Sequence, residues 1–156
     1  MSGSAWANAL TRTMLGVRLG VDDARDWSMV KTERVALRAG DRIPDAQLHG
    51  GDGRPIRVHE LADDSFVALY FTDVRRRPAL PADGGGLKHR VVSRRDAPLD
   101  SGLRERSLFD VGDRFRQRLA VAADTIVLVR PDDHIAAMAP LRAGMAEELY
   151  RKAVCK

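Results

Sequence analysis

The chain has 156 residues, 44% hydrophobic and 31% charged, which is enough for one domain with its own core and too short for two of ordinary size. This composition argues against disorder throughout, and no apolar stretch is long enough to span a bilayer. A net charge of +4 is carried mostly by arginines interleaved with aspartate and glutamate. With aromatics at 5%, it reads as a solvated surface more than a nucleic-acid stripe.

The N-terminus, MSGSAWANALTRTMLG, lacks the apolar run and small-residue cleavage site of a secretory signal, so a cytoplasmic protein is expected. The single cysteine, Cys155, excludes an internal disulfide framework and a cysteine-based zinc site.

In chain order, Trp6, Leu10, Met14 and Val17 recur at helical steps, predicting an amphipathic helix over 5–17. A charged stretch without sustained periodicity follows, up to Pro44. It reads as a linker wrapping onto the domain, giving an N-terminal helix and linker over 1–39 and a domain over 40–156.

Two short extended pieces are expected between Leu48 and Val58, around HGGDGRP, where Asp52-Gly53 supplies the positive φ of a tight turn. SFVALYF, residues 65–71, is bounded by polar pairs and rich in aromatic and aliphatic side chains, so it predicts a central buried strand. LKHRVVSRR, 87–95, offers a second strand with Leu87, His89, Val91 and Ser93 on one side.

SLFDVGDRFRQRLAVA then places Leu108, Val111, Phe115, Leu119 and Ala122 on one stripe, predicting a surface helix from Ser107 with Arg114, Arg116 and Arg118 elsewhere. Strands over 125–129 and 134–138 flank Arg130-Pro131-Asp132-Asp133, a turn sequence, and should form an antiparallel hairpin. Leu141, Met145, Leu149 and Val154, with Ala146, Tyr150 and Ala153 beside them, predict a closing helix. The alternation implies an α/β fold.

Two stretches carry a family resemblance. RAGDRIPDAQLHGGDGRPIRVHEL, 38–61, matches an opening Gly-Asp-Arg-x-Pro-Asp-x-x-Leu segment through Gly40, Asp41, Arg42, Pro44, Asp45 and Leu48. DTIVLVRPDDHIAAM, 124–138, matches a closing Leu-Val-Arg-Pro-Asp hairpin through Leu128, Val129, Arg130, Pro131, Asp132, Ile135 and Ala136. Over roughly 38–154 the chain resembles the C-terminal thioredoxin-like domain of FAD-dependent aromatic-ring hydroxylases of the phenol and 3-(3-hydroxyphenyl)propionate hydroxylase group.

That resemblance implies a central mixed sheet flanked by helices, without the CxxC motif. It also implies a non-catalytic structural and dimerisation role, as a homodimer or packed on a flavoprotein hydroxylase domain. FAD and NAD(P)H belong to the parent family, and no cofactor is expected in this chain. The family hairpin usually has glycine where this chain has Asp133, and a Trp-Arg pair where it has Ala137-Met138.

Chemistry is notable for what is missing. Thioredoxins and peroxiredoxins place a reactive cysteine after the strand matching FVALYF, where this chain reads TDVRRRPALPADGGG and offers no thiol. Asp124 stands where thioredoxins set a cis-proline before the strand matching TIVLV. No Gly-x-Gly-x-x-Gly follows a strand, so a Rossmann site for FAD is not expected. Gly84-Gly85-Gly86 reads as a hinge or lid, or more plainly as a flexible loop in place of a shortened helix.

His49, His59, His89 and His134 lack ligand spacing. Arg75-Arg76-Arg77 could grip an acidic partner, although such runs are usually solvated. The candidate interaction surface is Thr72, Asp73, Arg75, Arg76, Arg77 and Asp124, with no catalytic, cofactor-binding or metal-binding residue assigned. The alternative to a hydroxylase domain is an independent, redox-inactive ligand- or protein-binding module that uses this surface.

Overall fold

The computed structural model describes residues 36–72, 79–94 and 101–155. The predicted helix over 5–17, and nearly all of the linker, lie outside the described residues. Seven strands form one mixed sheet: β1 (Gln47–Gly50), β2 (Pro55–Arg57), β3 (Phe66–Phe71), β4 (Leu87–Ser93), β5 (Ser107–Phe109), β6 (Thr125–Val129) and β7 (Ile135–Pro140). Their spatial order is β2-β1-β5-β4-β3-β6-β7. The helices are α1 (Ser101–Arg104), α2 (Arg114–Leu119) and α3 (Met145–Val154).

The hairpin expected around Asp52-Gly53 is present. Leu48 lies opposite Ile56, and Gly53 takes a φ of +82° that few other residues would tolerate. FVALYF is an inner strand, parallel to β4 and antiparallel to β6. Its continuous apolar run follows from burial on both faces.

Val67, Leu69 and Phe71 pack on one side with Leu48, Val92, Leu108, Phe115, Leu119 and Val127. On the other side Ala68 and Tyr70 join Leu87, Val91, Ile126, Leu128, Met145 and Ala146. The hairpin of β6 and β7 also forms as expected, with an irregularity in register between Leu128 and Val129. At its turn Asp133 has φ +62°, a left-handed backbone that glycine adopts more readily than other residues.

The helix expected from Ser107 is corrected. Ser107–Phe109 is strand β5, parallel to β4 with Leu108 beside Val92, and α2 begins only at Arg114. The backbone between them cannot be helical, because Gly112 and Asp113 sit at φ +77° and +56°. Leu108, Phe115 and Leu119 do share one core cluster, so the stripe marked the right buried residues in the wrong geometry. Val111, 40% exposed, and Ala122, also exposed, do not belong to it. Val154 is likewise exposed, while Met145 and Ala146 are the buried residues of α3.

Asp110 starts α2. Its buried carboxylate accepts the N–H groups of Phe115 (3.1 Å) and Arg116 (2.9 Å), donors that a first helical turn otherwise leaves unmet. Asp110→Ala should cost about 1–2 kcal/mol, the upper range for loss of a cap, read as a lower urea midpoint at unchanged slope. Asp110→Asn should recover part of it.

The two segments that carry the family resemblance meet in space. Gly40 N–H donates to Ile135 O, Ile135 N–H to Asp41 O and Ile43 N–H to Asp133 O, all at 2.7–2.8 Å. Arg42 adds an ion pair to Asp133 at 3.7 Å. The opening segment therefore runs along the β6–β7 turn and partly covers the β7 edge, a protection that exposed edge strands need.

Candidate functional site

In open α/β sheets ligands gather beyond the carboxyl ends of parallel strands, and here the parallel strands are β3, β4 and β5. Thr72 follows β3 directly and is buried. Extending the registers by one residue, with Phe71 beside Val92 and opposite Thr125, places Thr72 between Ser93 and Asp124. Alternation along each strand puts all three on the face that carries Tyr70 and Ile126. Two of the six surface residues expected from sequence, Thr72 and Asp124, are thus neighbours. Asp73, Arg75, Arg76 and Arg77 lie outside the described residues.

Sequence reasoning missed Ser93, which is 4% exposed and whose Oγ has no hydrogen-bond partner. The available signal was its position on the inward side of β4 together with Leu87, His89 and Val91. Arg116, counted among the residues off the core stripe, approaches this end of the sheet from the opposite face. Its guanidinium lies 5.9 Å from the Phe71 ring centroid and donates to Thr72 O at 3.2 Å.

Asp124 has φ +60°, and no peptide bond among the described residues is cis. Its carbonyl accepts the Leu141 N–H, 2.7 Å, tying the start of β6 to the end of β7. The edge that a cis-proline would form is therefore built differently in this chain. Cys155 is exposed beyond α3, far in sequence from the end of β3.

The triple glycine forms a hydrogen-bonded turn. Gly84 and Leu87 exchange backbone hydrogen bonds, and Gly86 O accepts from Phe66 N–H. Tyr150 donates to Gly85 O, 2.6 Å. Gly86 has φ +82°, so the backbone favours glycine, and a Cβ there would lie 2.8 Å from Tyr150 Oη and push that side-chain tip aside. Because this turn opens strand β4, it presents no helix N-terminus to a pyrophosphate.

The four histidines are dispersed, and no group of three metal-ligating side chains forms among the described residues. His59 meets Asp45 (3.2 Å) and His134 meets Asp132, while His89 is buried against Tyr70. The hydrogen bond from His59, with help from Arg57, holds the Asp45 carboxyl below its ordinary pKa against the opposing effect of desolvation. No helix among the described residues is long and apolar enough to cross a membrane.

Comparison with known proteins locates this arrangement. No protein-family model matches the chain, and neither does any curated protein sequence. Solved structures do match. One is assigned as the thiol:disulfide interchange protein DsbE from Chlorobium tepidum, with TM-score 0.55 and 16% identity over 76% of this chain and 97% of that one. The peroxidoxin BcpB from Mycobacterium tuberculosis gives TM-score 0.53 and 15% identity over 76% and 95%.

The fold is thioredoxin-like. With one cysteine in the whole chain, this thioredoxin-like sheet has no CxxC pair. A third structure, aklavinone-11 hydroxylase in complex with FAD and aklavinone, matches with TM-score 0.51 and 15% identity. It pairs 75% of this chain with 21% of the hydroxylase. A thioredoxin-like unit therefore also matches about a fifth of a much longer flavoprotein.

Proposed function

We propose that this chain is a non-catalytic, thioredoxin-like structural and dimerisation domain of, or related to, an FAD-dependent aromatic-ring monooxygenase. The observation that carries the reading is the junction of the two family-like segments, 40–43 and 133–135, through three backbone hydrogen bonds and an ion pair. Segments that resemble the opening and close of the hydroxylase domain form one continuous unit. The partial match to a hydroxylase that binds FAD supports the same reading. FAD and NAD(P)H would be held by the flavoprotein, and this chain would contribute packing surface.

Affinity purification of the tagged chain from its native host tests this. The expected result is a yellow complex whose visible spectrum is that of flavin and whose masses include a flavoprotein. A colourless, solitary chain would overturn the reading in favour of an independent binding module, for which the polar row of buried Ser93 and Thr72 with half-buried Asp124 is the motivating feature.

Thiol chemistry gives a second check. A disulfide- or peroxide-reducing cycle needs a thiolate at the end of β3. The protein should therefore show no insulin reduction and no peroxide turnover above buffer, and Cys155→Ser should leave that baseline unmoved. Turnover abolished by Cys155→Ser would contradict the non-catalytic role.

A further inference from the structure

His89 is 2% exposed, and its Nδ1 lies 2.8 Å from the Tyr70 hydroxyl. The pair sits on the sheet face covered by Met145, Ala146, Leu149 and Tyr150 of α3 and by Leu80. Leu80 belongs to residues 79–84, a strap that leads into β4. Apart from Leu80 the strap is exposed, and it is held by polar contacts.

Asp83 Oδ1 accepts the His89 backbone N–H (2.8 Å), Asp83 Oδ2 accepts from Arg90 (2.7 Å), and Arg106 donates to Pro81 O. Strand geometry explains the first of these. The β4–β5 pairing starts opposite Val91, so the edge N–H of His89 has no strand partner and takes a carboxylate in its place.

We propose that residues 79–84 form a proton-released strap over the buried Tyr70–His89 pair, closed while His89 is neutral and opened when it gains a proton. Tyr70 stays a phenol because burial pushes its pKa above the ordinary range, reinforced by Glu147 and opposed by Arg106. With the ring proton on Nε2, its hydroxyl donates to Nδ1 of the neutral imidazole. An imidazolium has no acceptor, so protonation strands the buried Tyr70 hydrogen and leaves a charge inside an apolar cluster.

The charged groups facing His89 are Glu147 on α3, Asp83 on the strap, Arg90 on β4 and Arg106 before β5. Burial, joined by Arg106 and Arg90, outweighs Glu147 and Asp83, so the His89 pKa lies below the ordinary histidine value. The opened state binds the proton better. Opening is therefore favoured as pH falls through the ordinary histidine range, and the effect levels off below the depressed folded value. The strap yields before α3 because it has one partly buried apolar anchor, whereas α3 buries Met145 and Ala146. Asp83 remains ionised in this window: burial raises its pKa more than any one neighbour lowers it, but Arg90, the His89 N–H and Arg106 together outweigh burial and hold it below the ordinary value.

Amide hydrogen exchange of the intact chain tests the proposal. After correction for intrinsic exchange chemistry, the hydrogen-bonded amides of His89 and Gly84 should exchange faster from pH 7.5 to 5. The rise should be about tenfold per pH unit across the window where the opened, but not the closed, His89 is protonated. In His89→Gln these rates should be flat over the same range, with Tyr70 still satisfied.

Should that variant fail to fold, NMR of the unsubstituted protein decides. The His89 ring and the strap amides should titrate with one common midpoint. Flat strap exchange, or strap exchange that rises equally in His89→Gln, would overturn the proposal, as would separate midpoints.

Discussion

Phe71→Ala should lower the unfolding free energy by about 4 kcal/mol, within the range for removing a buried phenylalanine from a core. Phe71 is fully buried at the end of the central strand. Its ring packs against Phe115 with centroids 5.7 Å apart at 42°, and the Arg116 guanidinium lies over it. Truncation removes apolar burial, opens a cavity between sheet and α2, and takes the aromatic bed from a partly buried arginine.

Urea unfolding monitored by far-UV circular dichroism measures the loss. A cycle with Phe115→Ala should show coupling of about 1 kcal/mol, as ring pairs do beyond their buried area. Val111→Ala, at an exposed site, should change stability by no more than about 0.5 kcal/mol. A Phe71→Ala loss as small as that would mean that the sheet does not close on α2 as described.

Gly51→Ala is the second large effect. The conformation of Gly51 is accessible to any residue, so the obstacle is space. A Cβ at Gly51 would run into the backbone carbonyl of Arg104 at the end of α1. A backbone atom cannot swing aside as a side-chain tip can, and either the β1–β2 hairpin or α1 must move. The expected cost is about 3 kcal/mol, the upper part of the range for overpacking.

Gly53→Ala separates the two roles of glycine in this turn. Nothing lies within reach of its Cβ, but its φ is +82°, so it should cost about 1 kcal/mol through backbone strain alone. Equal losses at the two positions would show that the close approach of the hairpin to α1 is absent.

The sheet was legible in the sequence where local pattern and final environment agree. FVALYF reads as a buried strand because both of its faces are covered. Asp52-Gly53 reads as a turn because positive φ is a property of the residue, and TIVLV with IAAMAP reads as a hairpin because Arg130 to Asp133 can only turn. The lack of a CxxC pair was legible too, since the chain has one cysteine.

Other features were not legible, for physical reasons. Ser107–Phe109 looks helical because Leu108, Phe115 and Leu119 share a spacing. A three-residue strand is stabilised by its neighbour, β4, and not by its own propensity. The row of Ser93, Thr72 and Asp124 joins residues from three strands whose registers no local pattern contains, and the burial of His89 depends on α3 and the strap arriving from elsewhere in the chain. Residue chemistry alone thus determined the α/β class, the inner strand, the two hairpins and the missing CxxC pair, because each is a local property. Only the tertiary structure decided which polar groups are buried side by side, because burial and register arise from contacts between segments distant in sequence.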